Sequence, residues 1–153
     1  NLAAAASWIA RSQSLAQRVG ARYAVAGLAF NRAIYYLMTN DVTAATECIA
    51  PYAQNDFNDP IVRQRMLILS ILARIAIAQE DLPRLRDLEP LLENALRLRR
   101  STGPHDFHVA SYARTLEALG DTRAAAEYVE RFIESSRRDR TQPSEELRAF
   151  ALG

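Results

Sequence analysis

Lysine is missing altogether from the 153 residues, and all 19 basic side chains are arginine. Set against 18 acidic residues they leave a formal net charge of +1. That balance argues against a nucleic-acid footprint, which needs a basic excess gathered on one face. A single cysteine, Cys48, excludes an internal disulfide and a cysteine-based zinc cluster. Only five glycines are present, too few and too scattered for a glycine-rich phosphate loop. Long hydrophobic runs are missing as well. The longest nearly apolar stretch, Met66 to Ile77, contains Ser70 and Arg74 and falls short of the roughly 20 residues that a membrane span requires. No staple is needed in exchange, because a chain of this length can bury roughly two-thirds of its unfolded surface.

What is abundant is alanine and leucine. Ile61 to Ala78 and Thr122 to Arg138 run too long for strands and carry helical spacing. Breakers separate them: Asn40-Asp41, Asn58-Asp59-Pro60, Thr102-Gly103-Pro104, Gly120-Asp121 and Thr141-Gln142-Pro143. Asp59 reads as an N-cap with Pro60 at the first helical position, and Asp41, Asp81 and Asp121 each precede a helical tract in the same way. Pro51 and Pro90 are expected to bend or end their helices, since each removes an intrahelical hydrogen bond. The fold class is all-α.

Those three aspartates recur at every fortieth position. Aligning 21–60, 61–100 and 101–140 places Ala33, Ala73 and Ala113 eight residues before each Asp, and Ala45, Leu85 and Ala125 four after. Cys48, Leu88 and Tyr128 follow in one column, then Tyr52, Leu92 and Phe132. Each unit reads as one hairpin: a helix A, a tight turn ending in Asp, and a helix B. One hairpin cannot bury such a surface alone, whereas stacked hairpins can.

The units resemble tetratricopeptide repeats, with their small residue at the eighth position, Gly-Asp or its equivalent at the turn, and Ala four residues later. Gly120-Asp121 with Ala125 matches best, then Asn40-Asp41 with Ala45, then Glu80-Asp81 with Leu85. Two features depart from the family. The period is 40 rather than about 34, and Ala29, Leu69 and Val109 stand where the family has a large aromatic. Forty-residue variants are similar to the sensor solenoids of bacterial signal-responsive regulators, such as the maltose-regulator kind of ATP-dependent transcription activator. The segment 142–149 also resembles the closing helix of bacterial transcriptional activator domains. The resemblance implies a right-handed α-α superhelix, a solenoid of about three hairpins plus terminal helices. Residues 1–20 align with 41–60 and read as a lone helix B, and 141–153 as the start of a further or capping helix. The chain is thus expected to be a fragment of a longer solenoid, the alternative being that both terminal helices are caps.

Chemistry-bearing groups are sparse. His105 and His108, beside Asp106, have a spacing that suits a metal, but no further ligands converge in sequence. His108 shares a column with Leu28 and Ile68 and reads as a packing histidine near a helix start. Cys48 sits in an apolar column, where cysteines are inert. Glu127 with Glu130, and Glu145 with Glu146, alternate with Arg as solvated faces do. Arg97, Arg99, Arg100 and Arg137, Arg138, Arg140 close B helices, where the macrodipole favours cations. No catalysis, cofactor or metal is expected.

What remains is a surface. In tetratricopeptide arrays one stripe of each helix A lines a concave wall. Carried over column by column, the stripe contains Gly27, Phe30, Ile34 and Met38, then Leu67, Ser70 and Arg74, then Phe107, Ala110, Arg114 and Glu117. Ser70 and Arg74 lie four apart on one face of an apolar helix and are expected to reach solvent or a ligand. The expected partner-binding residues are Phe30, Ile34, Ser70, Arg74, Phe107, Arg114 and Glu117, gripping a protein or peptide with acidic and apolar side chains. The expected function is a non-enzymatic interaction or sensing module, with the cytoplasm as its compartment and no contact with nucleic acid or membrane. The rival readings are the activator domain of a DNA-binding regulator, and a regulatory solenoid attached to a kinase or cyclase.

Overall fold

A computed structural model describes residues 2–19, 22–53, 62–98, 106–138 and 147. Every element among them is helical: α1 (Leu2–Val19), α2 (Arg22–Met38), α3 (Val42–Ala53), α4 (Val62–Ala78), α5 (Leu82–Leu98), α6 (Asp106–Ala118) and α7 (Thr122–Arg138). None of these is long and apolar enough to cross a membrane. The Asp59-Pro60 cap, His105, and the 141–146 and 148–153 parts of the terminal segment lie outside the described residues.

Contacts divide the chain into two compact units, Asn1–Asp59 and Pro60–Gly153. In the first, α2 packs on both α1 and α3. In the second, α4 packs on α5 and α6, and α6 packs also on α5 and α7. This makes α4 a helix covered on more than one side. Met66, Leu69, Ser70, Ile71, Leu72, Ala73, Ile75 and Ala76 are accordingly all buried. By contrast α7 buries the narrow stripe of Ala125 and Val129, with charged residues around it. Burial agrees with the aligned columns: Ala33, Ala73, Ala113, Ala45, Leu85 and Ala125 are all fully buried.

One local device joins the helices of each described hairpin. The residue after the last helical turn takes a left-handed backbone at Asn40 (φ 60°), Glu80 (φ 55°) and Gly120 (φ 92°). Its N–H bonds three residues back, to Leu37, Ile77 and Glu117 respectively. The next residue, always Asp, donates its N–H five residues back, to Tyr36 at 2.8 Å, Ala76 at 2.9 Å and Leu116 at 2.9 Å. This pair of bonds is the Schellman closure, which satisfies helix carbonyls that would otherwise lack partners. The same aspartate then caps the next helix. Its Oδ1 accepts the N–H of Ala44, Arg84 or Ala124 at 3.0–3.1 Å. The N-caps expected at Asp41, Asp81 and Asp121 are therefore present.

Neither proline ends its helix. α3 continues past Pro51 to Ala53, and α5 continues past Pro90 to Leu98. Both prolines are exposed, as are Glu47 and Arg86 four residues earlier. The carbonyls that lose their donors thus belong to residues on the solvent side, where water can take the place of the missing donor.

The turn geometry makes a prediction about glutamate. A non-glycine residue with left-handed backbone is strained, so Glu80→Gly should raise the unfolding free energy by about 0.5–1 kcal/mol. Gly120→Ala should lower it by a similar amount, because a Cβ at Gly120 meets nothing within 4 Å and only the backbone term changes. Urea denaturation of the two variants measures both. A destabilising Glu80→Gly would contradict the turn as described.

Candidate functional site

The face shared by α4 and α6 holds most of the candidate residues, and two polar bridges cross it. Ser70, on α4, donates its hydroxyl to the Met66 carbonyl at 2.8 Å, and its Oγ lies 2.9 Å from His108 Nδ1 on α6. A hydroxyl has one hydrogen, and a carbonyl can only accept. The roles in the Ser70–His108 contact follow the tautomer of the ring: with the hydroxyl hydrogen on Met66, Nδ1–H is the donor, and with Nδ1 unprotonated, the hydroxyl donates to it. Ser111 repeats the arrangement from the opposite helix. It donates to the Phe107 carbonyl at 2.7 Å and accepts Arg74 Nε–H at 3.0 Å. Back-bonding to a carbonyl four residues earlier is a common habit of helical serine. Here it leaves the oxygen's lone pairs aimed at the neighbouring helix. The Arg74 guanidinium also lies over the Phe107 ring, 5.0 Å from its centroid, a cation–π contact.

Tyrosines tie α6 to its other neighbours. Tyr112 donates its hydroxyl to Glu89 of α5 at 2.9 Å, and its ring meets Tyr128 of α7 edge-on with centroids 4.8 Å apart. Burial, reinforced by the Glu89 carboxylate, pushes the Tyr112 phenol well above its ordinary range. Burial likewise pushes Tyr128 up to about 12. Both rings stay neutral and serve as packing.

The expected partner-binding residues are thus sorted by the structure. Ser70 is fully buried, a correction to the expectation that it faces solvent or ligand. A polar side chain on an apolar helix need not reach water when a neighbouring helix supplies its partner. Phe30 is also buried, stacked edge-on against Tyr52 at 5.2 Å, so it too offers no open surface. Arg74 is half-buried between the helices. Phe107 is half-exposed, and Arg114 and Glu117 are exposed, on one helix at seven and ten residues from Phe107. Ile34, half-buried, belongs to the first unit. The alignment gave no sign of the Ser70–His108 and Arg74–Ser111 bridges, since it compares equivalent positions and these join non-equivalent ones. Their one visible trace is a serine within each of the two helices, Ser70 in α4 and Ser111 in α6.

Other candidates resolve into ordinary structure. His108 is buried at the third position of α6, as a packing histidine should be. Cys48 is half-buried; burial pushes its thiol up, opposed by the Arg32 charge and reinforced by Glu47. Glu127 pairs with Arg123 at 2.8 Å on the exposed face of α7, and Glu93 with Arg97 at 2.6 Å on α5. In the first unit, Ile9, Gln13, Arg32, Tyr35 and Tyr36 line an open cleft of about 190 Å³ between α1 and α2. Arg32 spans it, donating to Gln13 Oε1 at 2.9 Å and to the Tyr36 hydroxyl at 3.5 Å.

No family model, curated protein or solved structure matches the chain.

The Ser70–His108 bridge predicts the sign of a substitution. Alanine is the better helix former, so without the bridge Ser70→Ala would stabilise α4. Loss of the bridge instead costs about 1–3 kcal/mol, because the buried ring nitrogen is left without its hydroxyl partner. A thermal melt of Ser70→Ala at or above the parent's midpoint would rule the bridge out.

Proposed function

We propose that this chain is a non-enzymatic interaction module of the tetratricopeptide-like kind, which holds a partner segment with acidic and apolar side chains on the α4–α6 face. The observation that carries the proposal is the state of Arg74. Its guanidinium is held by Ser111 and lies over Phe107, both residues of the protein itself. A cation fixed in advance loses little freedom on binding. Arg114 is exposed two turns beyond Phe107 on the same helix face and supplies a second guanidinium. Arginine suits this task because its planar fork meets a carboxylate with two hydrogen bonds. Phe107, half-exposed beneath Arg74, offers the apolar contact.

The three turns share one geometry and recur at an even spacing along the chain, which supports reading the hairpins as repeats of a right-handed solenoid. So does the packing of α4 on α6 within the second unit, since helix-A-on-helix-A contact is what stacking requires. The resemblance to bacterial signal-responsive regulators favours a regulatory partner.

The test uses peptides selected from a random library for binding to the whole chain. Selected sequences should be enriched in Asp, Glu and apolar residues, and their affinity should fall as salt is raised. Against the Arg74→Ala, Arg114→Ala double variant, affinity at low salt should drop by about tenfold or more, which is about 1.4 kcal/mol or more. Unchanged affinity would move binding off this face.

A further inference from the structure

The cleft between α1 and α2, in the first unit, is separate from the α4–α6 face and does not depend on how that face is read. Its centre is Arg32, half-buried on α2 and close enough to Cys48 of α3 for the two charges to act on each other. The guanidinium donates to Gln13 Oε1 at 2.9 Å and to the Tyr36 hydroxyl at 3.5 Å, and lies 5.8 Å from the centre of the Tyr36 ring. Gln13 and Tyr36 are neutral. Neither α1 nor α2 contains an aspartate or glutamate, and Glu47, the one acidic residue of α3, is exposed. Among the described residues the Arg32 cation is thus met by dipoles and a ring, with no carboxylate against it.

The repeat register shows what stands at the same place two periods on. Arg32 corresponds to Tyr112, Ile9 to Glu89 and Gln13 to Glu93. Between α5 and α6 the protein supplies its own acid, since the buried Tyr112 donates to the Glu89 carboxylate at 2.9 Å. Between α1 and α2 the chemistry is inverted. A cation replaces the phenol, and neutral side chains replace both carboxylates.

Hydrogen bonding gives the cleft a single polarity. A guanidinium has five N–H donors and no acceptor, and Gln13 and Tyr36 take one each. Gln13 turns its oxygen to Arg32, which leaves its amide hydrogens as donors; the Tyr36 oxygen also accepts, which leaves its hydroxyl hydrogen. Ile9, Ala10 and the Tyr35 ring complete the wall with apolar surface. The space is about 190 Å³, about the share of six waters in the liquid.

We propose that this cleft binds a small monocarboxylate that carries a single aromatic ring. The ionised carboxylate has acceptors only, so it takes the remaining N–H groups of Arg32 in a two-bond fork. The ring lies against Ile9 and the tyrosines. One negative charge matches the one cation of the lining. A dianion such as phosphate would bring a second charge that no lining residue meets, and would leave the apolar wall uncovered.

The probes are phenylacetate, its neutral amide phenylacetamide, acetate and inorganic phosphate, each titrated into the parent chain by calorimetry at neutral pH. Phenylacetate should bind saturably with a Kd of about 1 mM or tighter, and should shift the Arg32 Nε–H signal in NMR spectra. Phenylacetamide lacks the charge and acetate lacks the ring, so each should bind about tenfold or more weakly, as should phosphate. Ala10 is exposed at the rim of the cleft, and Ala10→Glu sets a competing carboxylate there. It should weaken phenylacetate by about tenfold or more with Arg32 intact, whereas the neutral Ala10→Gln should weaken it less. Arg32→Gln should also lose about tenfold or more, and the comparison of probes on the parent chain stands whether or not that variant folds. Four results would overturn the proposal. They are no saturation by phenylacetate up to about 10 mM, saturation that leaves the Arg32 signal unmoved, binding of phenylacetamide or phosphate as tight as that of phenylacetate, and an Ala10→Glu chain that binds as the parent does.

Discussion

The hairpins depend on one aspartate used twice. At Asp41, Asp81 and Asp121 the backbone N–H closes the outgoing helix and the side-chain oxygen opens the incoming one. A helix end leaves four carbonyls and a helix start four N–H groups without intrahelical partners. Meeting both needs with one residue allows a connection of three residues, and that brevity brings the two helices side by side. Alanine at the buried columns then lets the helix backbones approach closely. The same residue types recur because the same two sets of unpaired groups must be satisfied each time.

Much of this could be read in the residues, because it is local. Asp before a helical tract is an N-cap wherever it occurs, and the even spacing of Asp41, Asp81 and Asp121 announces the turns without any tertiary knowledge. Burial of Ala33, Ala73 and Ala113 follows from their shared register. That neither proline ends its helix has a physical reason. Pro51 and Pro90 destroy a hydrogen bond wherever they stand, but on an exposed face water repairs the loss, and which face is exposed is a tertiary fact. Ser70 failed as a surface residue for a related reason. Its partner, His108, lies on a different helix, at a position where the alignment shows only Leu28 and Ile68. Polar matches between non-equivalent positions leave no mark in a repeat pattern.

The basic side chains of the chain are all arginine, and the structure uses them in three distinct ways. On α5 and α7, Arg97 and Arg123 pair with glutamates one turn away, exposed and contributing little to stability. Arg74 and Arg32 lie between helices, where a flat guanidinium can donate to a neighbour's polar group while resting near an aromatic ring. Arg11, Arg18 and Arg114 stand exposed on surfaces that also present an apolar ring or chain. A lysine ammonium, compact and strongly hydrated, suits the second use poorly. The proposed α4–α6 binding face follows this logic, with the half-exposed Phe107 beneath the Arg74 guanidinium.

The claim on which the account rests is that each turn is closed by its aspartate amide. Native-state hydrogen exchange measured by NMR tests it most directly, because these three amides lie at the helix junctions, where an open loop would exchange freely. The account predicts that the amides of Asp41, Asp81 and Asp121 are protected to within about tenfold of the adjacent helix interiors, since each donates at 2.8–2.9 Å to a carbonyl five residues back. Exchange of these amides at the rate of an unstructured peptide, with the helices around them protected, would contradict it.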